Sequence, residues 1–137
     1  MFKYFVAILV AVFITIPIAL AETTETRSPG VYFENLQDQQ VVSSPVFVKM
    51  GVVGKTIGAA GIFTEGVGHH HIVIDGTPAK EGEVVPADAN HIHFGKGQTE
   101  TEVILTPGKH KLTLQLADGF HRSYGEAWSK TIEVIVK

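Results

Sequence analysis

The sequence predicts an all-β domain, an antiparallel β-sandwich of about seven to eight strands. Short segments rich in Val, Ile, Thr and Phe are separated by Gly and Pro, and fourteen of the 137 residues are glycine, a composition that disfavours helices. Near the C-terminus Leu112, Leu114 and Leu116 alternate with polar residues. Since neighbouring side chains of a strand point to opposite faces, this alternation is typical of an antiparallel sheet buried on one face.

Eight segments have the composition of strands, and the third of them is the weakest. Because neither an internal repeat nor a second domain is evident, we expect residues 31–137 to form one sandwich domain. The expected strands are residues 31–36, 46–53, 56–63, 70–74, 91–94, 101–105, 110–117 and 131–136.

The first 21 residues have the pattern of a signal peptide. Lys3 precedes an apolar run, and Ala19 and Ala21 supply the small residues that a signal peptidase reads. A retained anchor is the alternative, although the run is short for a membrane span, which needs about 20 residues. We therefore expect residues 1–21 to be removed and residues 22–30 to form a flexible leader. The mature domain would be periplasmic or secreted and would not insert into a membrane.

The charge and the cysteine count exclude several classes of function. The chain has 11 basic and 14 acidic side chains, so the loss of Lys3 leaves 10 against 14, a net charge of −4 with neutral histidines. Such a balance lacks the basic surface that nucleic-acid binding requires. Since the chain contains no cysteine, it has no disulfide, and any metal site must use imidazole or carboxylate ligands.

Two clusters account for five of the seven histidines. The first cluster opens a strand in which Ile72 and Ile74 face the core. Alternation then places His70 on the core side, where we expect a partly buried histidine with hydrogen-bond partners. It places His69 and His71 on the opposite, solvent-facing side.

The second cluster is His91-Ile92-His93-Phe94. With Ile92 and Phe94 directed inward, His91 and His93 share a solvent-facing side. Two residues on one side of a strand lie about 6.5–7 Å apart at the backbone, so the two rings of such a pair can converge on one ion.

Together the clusters predict a metal site. Two His-x-His pairs on neighbouring strands would supply the three or four nitrogens that Zn(II) or Cu(II) prefers. Solvated histidines without a ligand are the ordinary alternative. The predicted cofactor is copper or zinc, and the candidate ligands are His69, His71, His91 and His93, with His121 and Asp75 as further candidates.

Several segments resemble known families. Residues 106–119 resemble the corner before a late core strand of immunoglobulin-like domains, with His110 in place of the aromatic residue whose polar tip bonds nearby backbone. The resemblance implies an immunoglobulin-like sandwich. His91-Ile-His-Phe-Gly95 is similar to a strand of copper–zinc superoxide dismutases, but that family's bridging histidine, zinc loop and disulfide have no counterpart here. Leu116-Ala-Asp-Gly-Phe-His121 resembles the end of CopC-type periplasmic copper proteins, which also use a histidine at the mature N-terminus; here that position would be Glu22.

A larger part of the chain resembles an uncharacterised family of small exported bacterial proteins, a domain of unknown function. The resemblance implies an exported β domain and no established activity. It is carried by three segments: Gly68 to Asp75, Pro86 to Glu100, and Pro107 to Gly119 with His121 after it.

Three functions are compatible with these patterns. The first is an exported module that binds Cu(II) or Zn(II) through strand-borne histidine pairs. The second is a non-catalytic accessory subunit that docks to an envelope protein. The third is a histidine-based metalloenzyme, such as a dismutase. We favour a non-enzymatic role, with a metal ion as the primary partner.

Overall fold

The computed structural model of the chain describes residues 26–137, and the predicted signal peptide lies outside this part. Residues 26–137 contain nine strands and a single 3-10 helix, Glu126–Trp128. No helix among them is long and apolar enough to cross a membrane. The strands are β1 (Gly30–Phe33), β2 (Gln40–Val42), β3 (Val46–Val53), β4 (Thr56–Ile57), β5 (Val67–Ile74), β6 (His91–His93), β7 (Glu100–Val103), β8 (Gly108–Ala117) and β9 (Ser129–Val136).

The strands form two sheets. One sheet has the order β1-β3-β7, and the larger has the order β2-β9-β8-β5-β4. Strand β6 also pairs with β5, on the same edge as β4. Strand β4 pairs with the start of β5, and β6 pairs with its later residues. The prediction of an all-β sandwich is confirmed.

Two details differ from the prediction. The larger sheet is mixed, because β2 runs parallel to β9 and β4 runs parallel to β5. Strand β2 was not predicted, since its three residues are too few for an alternating pattern to be recognised. The weak third strand shortens to Thr56–Ile57, which Gly58 and Gly61 follow.

The core lies between the sheets and is filled by the alternating residues of the long strands. Strand β8 contributes three fully buried leucines, as the alternation predicts, and β3 contributes its inward residues. Ile92 and Phe94 also pack on this core, as predicted. The most completely buried apolar side chains include Val46, Val48, Met50, Ile72, Leu112, Leu114, Leu116 and Val134.

A third layer covers the outer face of the larger sheet. Residues on that face of β8 were expected to be solvated, yet Thr113 and Gln115 are almost completely buried. The connection between β5 and β6 lies over them: the Ala79 N–H donates to Oε1 of Gln115 at 3.0 Å, and Nε2 of Gln115 donates to the Ala79 carbonyl at 2.7 Å. The same layer encloses the histidines of β5.

His110 contacts nearby backbone, as the resemblance to an immunoglobulin-like corner implies. Nε2 of His110 lies 2.8 Å from the carbonyl oxygen of Thr106, and its Nδ1 lies 2.7 Å from Oδ2 of Asp75. Neither oxygen carries a hydrogen, so the protonated ring, in which both nitrogens donate, makes both bonds at once. The hydrogen bond to Asp75 accordingly raises the pKa of His110.

His70 lies on the core side of β5, as alternation requires, but it is fully buried and neither ring nitrogen has a hydrogen-bond partner. The expectation of a hydrogen-bonded histidine is therefore wrong. The position directly across the strand pair is Leu116, another core residue. A buried polar group without a partner costs about 1–3 kcal/mol.

We expect His70→Leu to raise the free energy of unfolding of the metal-free protein by about 1–2 kcal/mol, because a side chain of similar size replaces two unpaired nitrogens. Urea unfolding measures the change. His70→Gln is the control, since it keeps an unpaired polar group at this position and should not be stabilising. A loss of stability in His70→Leu would contradict this interpretation.

Candidate metal centre

Four imidazole rings meet on the outer face of the larger sheet, and we call them the imidazole cluster: His69, His71, His93 and His121. His69 and His71 come from β5, His93 comes from β6, and His121 comes from the turn that follows β8. The antiparallel register of β5 and β6 places His71 directly opposite His93. Residues opposite each other in such a pair share a face, so the register itself brings these two rings together.

The spacing of the rings suits a single ion. Ring centroids of the six pairs are separated by 4.7 Å to 6.0 Å. The Nε2 atoms of His69 and His71 lie 3.0 Å apart, and those of His93 and His121 lie 3.1 Å apart. Zn–N bonds of about 2.0–2.1 Å place the nitrogens of a tetrahedral site about 3.3 Å from one another. Within each of these two pairs the nitrogen spacing is therefore close to that of ligands of one ion.

Three members have ligand atoms that all lie close together, and His121 is not part of this tighter group. One ring nitrogen from each of His69, His71 and His93 lies within 4.8 Å of the other two. This group contains no carboxylate, and an all-imidazole set of borderline ligands suits Cu(II) and Zn(II) rather than the hard ions Ca²⁺ and Mg²⁺.

The β5 members are buried rather than solvated, which corrects the sequence prediction. His69 is 0% exposed and His71 is 2% exposed, although both lie on the outer face as alternation predicts. The covering layer described above excludes solvent from this face. Burial within a strand pair fixes the rotamers of the two rings, so these two ligands are already oriented before an ion arrives.

The turn that carries His121 is held by Asp118 and Arg122. Oδ1 of Asp118 accepts from the N–H groups of Phe120 and Arg122, at 2.8 Å and 3.0 Å, and its Oδ2 accepts from Nε of Arg122 at 2.8 Å. His121 has φ 66°, a left-handed conformation that a non-glycine residue rarely adopts. Such strain occurs where surrounding bonds impose it, often at functional sites. Here it directs the ring towards the cluster.

The ring of His93 packs closely against Gly95. A Cβ atom at Gly95 would overlap Cε1 and Nε2 of that ring. Gly95 lies in the turn that directly follows β6, and this turn brings its Cα close to the ring. Gly95 is thus required by the close approach of an imidazole rather than by its backbone conformation. The sequence marks it only as one glycine of a turn.

The surroundings of His69, His71 and His93 favour the neutral form of these three rings. Burial, followed by repulsion from neighbouring imidazoles, lowers the pKa of His69 to about 4 and that of His71 to about 3. Burial and the nearby His121 also lower the pKa of His93. Metal ions compete with protons for the lone pair of imidazole. At neutral pH these rings are deprotonated, so their lone pairs are available to an ion.

Two residues proposed from the sequence lie elsewhere. His91 shares a face with His93, but its Nδ1 lies 2.7 Å from Oδ1 of Asp88 and its ring is not among the four. Asp75 follows β5 and accepts from His110 at 2.7 Å, away from the cluster. The structure therefore joins His69, His71, His93 and His121, and it assigns His91 and Asp75 to other contacts.

Comparison with known families identifies the domain but assigns it no activity. Residues 48–137 match the family described as Domain of unknown function (DUF4399). The chain belongs to this family. The DUF4399 match includes all four members of the imidazole cluster, and the prediction of an uncharacterised family is confirmed. No curated protein and no solved structure matches the chain.

The metal-free DUF4399 domain should lose stability as the pH falls below about 6.5. Histidines of the unfolded chain bind protons near that pH, whereas His69, His70 and His71 in the folded state bind them only near pH 3–4. Between these values the unfolded chain binds up to three more protons. The free energy of unfolding therefore falls by about 1.4 kcal/mol per pH unit for each histidine. Urea unfolding between pH 4.5 and 7, with a chelator present, measures the slope.

The His70→Leu variant is the internal control for this measurement. It lacks one of the three titrating groups, so its slope should be smaller by about one proton. A free energy of unfolding that stays constant between pH 7 and pH 5 would contradict the burial of these rings.

Proposed function

We propose that this DUF4399 protein is an exported module that binds one Cu(II) or Zn(II) ion through His69, His71, His93 and His121. The observation that carries the proposal is the convergence of four imidazole rings, with Nε2 atoms of two pairs 3.0 Å and 3.1 Å apart. Surface histidines that serve only as polar residues have no reason to converge, and buried ones have a strong reason to avoid it, since like groups repel when protonated.

The unpaired atoms of the cluster also support a ligand. Nδ1 of His69 and Nδ1 of His71 are buried without a hydrogen-bond partner. A contact between two Nε2 atoms uses one N–H and one lone pair, so the metal-free pair leaves buried polar atoms unpaired on both rings. Bonds from the Nε2 lone pairs to an ion would not pair the Nδ1 atoms, but they would supply energy that offsets the cost of burying the two rings.

Export rests on the N-terminal sequence, whose basic residue, apolar run and small residues at 19 and 21 have the order of a signal peptide. A periplasmic or secreted location is also consistent with a metal site made without cysteine, because thiolates outside the cytoplasm tend to oxidise to disulfides.

A second function, docking to an envelope protein, is favoured by one surface feature. Ile62, Phe63 and Phe120 are 75%, 49% and 53% exposed, and the two phenylalanine rings stack with centroids 6.3 Å apart. Exposed apolar groups of this kind are common at interaction sites. The patch adjoins the turn that carries His121, so docking and metal binding can belong to one module.

The proposal is tested by titrating the untagged protein with Cu(II) and Zn(II) in a calorimeter. We expect one ion per chain. His71→Ala, His93→Ala and His121→Ala should each weaken binding by at least about a hundredfold, because even residues that only orient ligands change affinity by about 10–100-fold. His91→Ala is the matched control, since His91 belongs to the same strand as His93 but not to the cluster, and it should bind like the wild type.

Gly95→Ala extends the titration without removing any ligand. The added methyl group displaces the exposed His93 ring, so affinity should fall nearly as far as in His93→Ala, while circular dichroism and urea unfolding show an intact fold. Wild-type affinity in the His71→Ala/His93→Ala double variant would rule the proposal out. Equal losses in His91→Ala and His121→Ala would contradict the four-member cluster.

A further inference from the structure

A cavity of about 290 Å³ opens beside the imidazole cluster. The rings of three members, His71, His93 and His121, form one wall, while His69 does not line it. The opposite wall consists of four consecutive apolar residues of the β5–β6 connection: Val84, Val85, Pro86 and Ala87.

The apolar wall is fixed to the turn that carries His121. Val84 forms an isolated antiparallel bridge with Arg122, and the Val85 N–H donates to the His121 carbonyl at 2.9 Å. The Ser123 N–H donates to the carbonyl of Glu83 at 2.8 Å. Because backbone bonds join the two walls, the cavity exists before a molecule enters. A preformed cavity reduces the ordering cost of binding.

The lining determines which chemistry fits. The seven lining residues include no lysine, arginine, aspartate or glutamate in the described part of the chain. The uncharged, apolar part of a ligand therefore suits the wall formed by residues 84–87, where burial of apolar surface is favourable. The volume lies just below the range of about 300–1,000 Å³ that is usual for ligand sites, which limits the occupant to a small molecule.

We infer that the cavity is a binding site for a small neutral heteroaromatic base, whose nitrogen approaches the metal-binding face while its apolar body lies against residues 84–87. The inference rests on the proposed metal-binding function. Three of the four proposed ligands line the cavity, so a base bound there would lie beside the ion, and Cu(II) would supply an acceptor for its nitrogen lone pair. The site therefore receives an exogenous ligand in addition to the ion.

Titration of the copper-loaded protein with imidazole and with 4-phenylimidazole tests this inference. The two probes have the same donor and differ in the apolar body. The copper content is measured first, and binding is then followed by the Cu(II) absorption band and by electron paramagnetic resonance. We expect 4-phenylimidazole to bind at least about tenfold more tightly, since the phenyl group buries apolar surface against the wall.

Two alanine-to-tryptophan substitutions test whether the preference for 4-phenylimidazole arises in the cavity. Ala87→Trp fills the cavity from an exposed position, so the preference for 4-phenylimidazole should disappear while one Cu(II) per chain is retained. Ala89→Trp makes the same substitution two residues away, at an exposed alanine that does not line the cavity, and should keep the preference.

The results of these titrations distinguish a failure of the proposed metal site from a failure of the cavity inference. If the wild type binds neither copper nor zinc, the proposed function fails and the cavity inference falls with it. If it binds zinc but no copper, the metal site stands and the cavity inference is overturned. If one copper is bound but the probes bind equally, or both variants behave alike, the cavity inference is overturned and the metal site stands. Release of copper by 4-phenylimidazole, detected by gel filtration, also overturns the inference.

Discussion

Pairing of β5 with β6 determines where the imidazole rings lie, because it places His71 directly opposite His93 on one face of the sheet. Side chains alternate with a period of two along a strand, so a slip of one residue would turn His69 and His71 towards the core and His70 towards the outer face. The apolar residues prevent such a slip, since Ile72 must stay between the sheets. The same hydrophobic pattern that holds the sandwich together thus also sets the geometry of the cluster.

Burial gives the cluster its chemistry and imposes a cost on the fold. Covering His69 and His71 lowers their pKa values, so the rings remain neutral and available to an ion at neutral pH. The same burial leaves their Nδ1 atoms without partners. A protein that gains nothing from the ion would be more stable with apolar residues at these positions. Residues that lower the stability of the fold, as these histidines do, are expected at functional sites.

Much of this arrangement follows from the sequence, and the rest depends on contacts between distant segments. Alternation correctly assigns Leu112, Leu114 and Leu116 to the core, and it places His69 and His71 together on the outer face. It does not show that this face is covered, because the covering layer is an irregular connection whose path depends on bonds such as those between Ala79 and Gln115.

Whether His91 or His121 belongs to the imidazole cluster also depends on contacts that the sequence pattern does not show. The strand pattern treats His91 and His93 alike. The register, however, places His91 opposite Val73, and its ring contacts Asp88. His121 lies in a turn, where no periodicity predicts the direction of a side chain. The bonds between Asp118 and Arg122 hold the turn that carries His121. The sequence shows that these residues are near one another, but it does not show that they form these bonds.

X-ray absorption spectroscopy of the copper- or zinc-loaded protein counts the imidazole ligands around the bound ion. We expect four imidazole nitrogens at about 2.0–2.1 Å, with three in His121→Ala and four in His91→Ala. A shell of two or fewer imidazoles, or a wild-type spectrum in His121→Ala, would show that the ion binds elsewhere on the chain.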